Sequence, residues 1–105
     1  MDERPLGQNL TPSREQGWIP SATVSRLREV VARYLTGRRD VDNDVEHLAS
    51  SLAAAAHAGG HAPERLLIAI RELWRDFGLS QHDRLQLASL YDRLVRRTID
   101  RYYDD

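Results

Sequence analysis

Residues 63–77, PERLLIAIRELWRDF, constrain the fold of this chain more than any other stretch. At about 100° per residue on a helix, Leu66, Leu67, Ala69, Ile70, Leu73, Trp74 and Phe77 fill one arc of roughly 160°, while Ile68 falls outside it, between Glu72 and Arg75. A stripe that wide belongs to a helix covered on two sides, so the segment predicts the hub of a helical bundle. It also predicts more apolar surface than a small unit can hide.

Three further helices follow from the same periodicity. Residues 22–36 carry Val24, Leu27, Val31, Tyr34 and Leu35 at helical spacing. Ser21 or Thr23 is the expected N-cap and Gly37 the left-handed residue that ends the helix. The next helix starts after Asp40 or Asp42 and ends at Gly59 and Gly60, with Val41, Val45, Leu48 and Leu52 as its large apolar residues and an alanine-rich body. Its stripe of large residues is narrow, which predicts a peripheral position.

Pro63 and Glu64 suit a helix start, and Gly78 closes that third helix with Leu79 placed for the contact that follows a glycine cap. Ser80 then caps the fourth helix, residues 81–103, with Asp83 at the third position. Leu87, Leu90, Tyr91, Leu94, Val95, Ile99 and Tyr102 sweep about 180° of it, and Leu85 and Tyr103 lie at the far edge. A turn this tight makes helices three and four an antiparallel hairpin.

Residues 1–20 hold Pro5, Gly7, Pro12, Gly17 and Pro20 among polar side chains and read as a flexible tail, with Trp18 and Ile19 expected to fold back on the bundle. That leaves residues 21–105 as one domain. With 41% apolar and 30% charged residues, the composition is that of a globular protein. The 15 basic residues are all arginine, a usage expected of a GC-rich coding sequence, and 16 acidic residues bring the net charge to −1. The global field of a nucleic-acid binder is therefore missing. No cysteine is present, which excludes disulfides, thiolate catalysis and cysteine metal sites. A leader-like apolar run is lacking as well, so the expected compartment is the cytoplasm, with no membrane partner.

Candidate chemistry is sparse. His57 and His61 stand four apart, but Gly59 and Gly60 between them break the helix that would give the spacing meaning, so they read as solvated histidines near helix ends. Asp40, Asp42, Asp44 and Glu46 lie where a helix N-terminus favours negative charge and read as capping groups. Arg93, Arg96, Arg97 and Arg101 form one basic cluster, with Tyr102 and Tyr103 as stacking partners for a nucleic acid. Asp92, Asp100, Asp104 and Asp105 interleave with it and oppose that reading. The turn Phe77-Gly78-Leu79-Ser80 resembles the turn of helix-turn-helix DNA readers, yet Trp74 before it and the long helix after it fit a plain αα-hairpin better.

The sequence thus predicts an all-α protein: a small four-helix bundle with a central antiparallel hairpin of helices three and four and a flexible N-terminal tail. No catalytic, cofactor-binding or metal residue is expected, and no small-molecule substrate. The expected function is a non-enzymatic protein–protein interaction module, an adaptor or regulator that forms a homo-oligomer or dimer or binds a protein partner. Ile68, Trp18, Leu85, Ile99, Tyr102 and Tyr103 are its candidate interface residues, because exposed aromatic and aliphatic side chains anchor interfaces. The alternative is a nucleic-acid-associated regulator that uses Arg93, Arg96, Arg97 and Arg101.

Overall fold

The computed structural model describes residues 17–104. Four helices make up the fold: α1 (Ser21–Leu35), α2 (Asp42–Ala58), α3 (Pro63–Asp76) and α4 (Gln81–Asp104). The tail expected over residues 1–20 falls outside the described residues as far as position 16. Ile19 is buried in the core and Trp18 packs half-buried against it. None of the described helices is long and apolar enough to cross a membrane.

Each helix end has a local cause. At the end of α1 the N–H of Arg38 donates to the carbonyl of Arg33 and that of Gly37 to Tyr34, the paired bonds of a Schellman motif. Gly37 supplies the required positive φ of 103°. The same pair recurs after α2, His61 to Ala56 and Gly60 to His57, so Gly60 rather than Gly59 takes the left-handed position. Pro63 opens α3 at its first turn. Ser80 caps α4 as its sequence predicts, its Oγ accepting from the Asp83 N–H at 3.0 Å.

The start of α1 differs from expectation. Neither Ser21 nor Thr23 caps it: the carbonyl of Pro20 accepts from the N–H groups of Thr23 and Val24, and Thr23 is itself buried. With the helix starting at Ser21, the buried side is Thr23, Leu27, Val30, Val31 and Tyr34. Val24 and Leu35, expected inside, stay half-buried at its margin.

The hairpin of α3 and α4 turns over at positions 77–80, and Leu66, Ala69, Ile70, Leu73 and Trp74 of α3 are buried with Leu67 and Phe77 half-buried, so a single chain covers the wide arc and the surplus of apolar surface expected on it is not seen. Helix α2 corrects the expectation of a peripheral place. Its most extensive contact is with α4, and it also touches α1 and α3. The narrow stripe was an effect of counting only large residues. Ala49, Ala53 and Ala56 are buried beside Val45, Leu48 and Leu52, so the true buried arc spans about 140°. Small side chains let a neighbouring helix axis come close. α2 and α4 run in the same sense, since Asp42 pairs with Arg93, Glu46 with Arg97 and Arg101, and His57 with Tyr102.

Candidate functional site

Three of the four arginines in the basic cluster of α4, Arg93, Arg97 and Arg101, face α2, and that decides what they do. Arg93 donates to Asp42 at 2.7 Å, Arg97 donates to Glu46, and Arg101 donates to the other Glu46 oxygen at 3.0 Å. Arg96 pairs with Asp92 one turn away at 3.1 Å, and weaker contacts join Arg97 to Asp100 and Arg101 to Asp104. All four arginines named for nucleic acid are therefore matched by carboxylates. The two guanidinium hydrogen bonds hold the Glu46 carboxyl below its ordinary value of 4.5, that of Arg97 first and that of Arg101 second.

This arrangement also corrects the reading of the acidic group as caps. No side-chain hydrogen bond caps α2. Asp42 and Glu46 bind α4, Asp44 binds Arg33 of α1 at 3.0 Å, and Asp40 pairs with Arg38 at 3.4 Å. The carboxylates stand in or near the first turn of α2, where the helix dipole favours them; the partners of Asp42, Asp44 and Glu46 are on other helices, and that of Asp40 is in the α1–α2 link.

The histidines serve an aromatic cluster at one end of the bundle. His61 stacks on Trp18 and His57 on Tyr102, each pair with ring centroids 4.3 Å apart. The Tyr102 hydroxyl donates to the His61 carbonyl at 2.8 Å, and His57 Nε2 lies 2.8 Å from the Tyr102 carbonyl. Among the described residues no group of three or more metal-ligating side chains comes together. Trp18 and Tyr102, named as interface residues, are thus engaged within the fold. The Trp18 indole N–H is buried and has no hydrogen-bond partner among the described residues.

The remaining interface candidates lie on α3 and α4. Ile68 is 43% exposed, Leu85 71% and Tyr103 69%, and Ile99 is half-buried. Between α3 and α4 runs an open groove of about 740 Å³, with Trp74 and Tyr91 in edge contact on its floor and Arg71, Arg75 and Arg84 on its rim. Its polar groups offer charge, but no nucleophile and base are paired there. Reading large apolar residues alone misses Thr98, buried in α4 with its hydroxyl donating to the Leu94 carbonyl at 2.7 Å. Its signal was available, since position 98 falls on the same helical face as Leu87, Leu90 and Leu94.

No protein-family model, curated protein or solved structure matches the chain.

Proposed function

We propose that this protein is a small non-enzymatic helical interaction module that associates with a copy of itself. One observation carries the reading: Leu85 and Tyr103 stand exposed on α4, while Leu27, Leu48, Leu52, Leu66, Ile70, Leu73, Leu87, Leu90 and Leu94 are all fully buried. The buried core is built without those two side chains. Large apolar groups kept in water at a helix face are covered when a partner docks.

A nucleic-acid role gains no support from α4, because a phosphate would have to displace carboxylates from Arg93, Arg97 and Arg101. Sedimentation equilibrium of the full chain over a range of concentrations tests the proposal. A reversible monomer–dimer equilibrium is the expected result. A single monomeric mass at every concentration up to the solubility limit overturns it.

A further inference from the structure

The outer face of α4 carries a pattern centred on Leu94. Positions 85, 89, 92, 96, 99 and 103 follow one another at spacings of 4, 3, 4, 3 and 4, the repeat that keeps a seam on one side of a helix. Leu94 itself points the other way and is buried. Five of the six seam residues are exposed, and Ile99 is half-buried.

The residues of the seam pair off about that centre. Leu85 and Tyr103 lie nine positions either side of Leu94, Ser89 and Ile99 five, Asp92 and Arg96 two. A two-fold axis beside Leu94 would set two α4 helices antiparallel and place Leu85 of one copy against Tyr103 of the other. The same operation sets Asp92 against Arg96, twice. A parallel pair would instead bring Asp92 level with Asp92 and Arg96 level with Arg96, and like charges at one level are penalised.

From this charge complementarity we infer that the occupant of the α4 outer face is a second copy of the same chain, docked antiparallel so that each Asp92 meets the Arg96 of the other copy. The inference deepens the proposed function and rests on it. Within one chain Asp92 and Arg96 pair at 3.1 Å with their side chains 64% and 76% exposed, so both are free to swing to a facing helix. The contact is isologous, as closed two-fold dimers require. A 24-residue helix is about 36 Å long, and an interface confined to it is small, which implies a reversible dimer.

Cysteine pairing tests the orientation, since the native chain has no cysteine to interfere. Leu85→Cys and Tyr103→Cys chains, mixed and mildly oxidised, should yield a disulfide-linked heterodimer. Neither variant should crosslink to itself, because like positions of an antiparallel pair lie about 27 Å apart. Self-linking of Leu85→Cys alone overturns the arrangement.

The charges are tested by sedimentation. Asp92→Arg and Arg96→Asp should each weaken self-association by about tenfold, whereas an equal mixture of the two restores it as a heterodimer. Both variants carry the same repulsion within their own helix, so recovery on mixing reports contact between chains and not helix stability. Ile68→Asp, off the seam, should leave the dimer intact. If the wild type dimerises and the α4 variants change nothing, or Ile68→Asp dissolves the dimer, the seam is wrong and self-association stands. A wild type that stays monomeric removes both.

Discussion

Tyr102 near the end of α4 donates its hydroxyl to the carbonyl of His61, 2.8 Å away and 41 residues earlier, while its ring stacks on His57. One side chain thus ties the last turns of the longest helix to the link between α2 and α3. Tyr102→Phe keeps the ring and removes the hydrogen bond. The expected loss is about 1 kcal/mol. Thermal unfolding followed by circular dichroism should show a midpoint lower by roughly 4–8 °C, the usual conversion for a domain this size.

Acid should loosen the α2–α4 contact through Glu46. Hydrogen bonds from Arg97 and Arg101 hold its carboxyl below the ordinary 4.5 in the folded state. The unfolded chain therefore binds the proton first, and stability rises with pH through the window between the two values. The contribution is complete above about pH 4.5 and is lost as pH falls through the folded value. Denaturant midpoints measured between pH 3 and 7 should fall on the acid side for the wild type, with a shallower fall for Glu46→Gln.

Two glycines at the bundle's turns should respond to alanine for different reasons. Gly78 has φ +67° with nothing within 4 Å of an added Cβ, so Gly78→Ala costs only the left-handed backbone, about 1–2 kcal/mol. Gly59 has an ordinary φ of −94°, but a Cβ there would lie 2.7 Å from the His61 ring. Gly59→Ala should push His61 off Trp18. Tryptophan fluorescence should shift in this variant at temperatures where the protein remains folded, and stay unchanged in Gly78→Ala.

The alanines of α2 should not accept larger side chains on the buried side. Ala49 is fully buried where α2 meets its neighbours, so Ala49→Leu should cost about 1–3 kcal/mol by overpacking. Ala54→Leu, on the exposed side of the same helix, should change stability little. Urea midpoints of the two variants make the comparison.

Those alanines also mark where the sequence was hard to read. Four helix ends were legible because glycine, proline and serine act through local chemistry: Gly37, Gly78, Pro63 and Ser80 all sit where their backbone or hydroxyl is needed, whereas the starts of α1 and α2, which no side chain caps, were not. The wide arc of α3 was legible because burial follows apolar periodicity. The place of α2 was not, since Ala49, Ala53 and Ala56 carry little hydrophobic weight yet let a helix approach closely. Asp92 and Arg96, one turn apart, were legible as a pair, but partners on different helices were not. Asp42 and Arg93 are 51 residues apart, and only the fold brings them within reach. The seam on α4 was hidden by its own polar centre, because Ser89, Asp92 and Arg96 interrupt an apolar template.

The parallel embrace of α2 and α4 has a consequence for how the chain is made. Helix α2 emerges from the ribosome well before α4, with α3 and two turns still to come. Until positions 81–104 arrive, Leu48, Leu52 and the alanine face lack the helix they touch most. The tightest helix pair of the bundle therefore closes only once α4 has been made, late in the synthesis of residues 17–104.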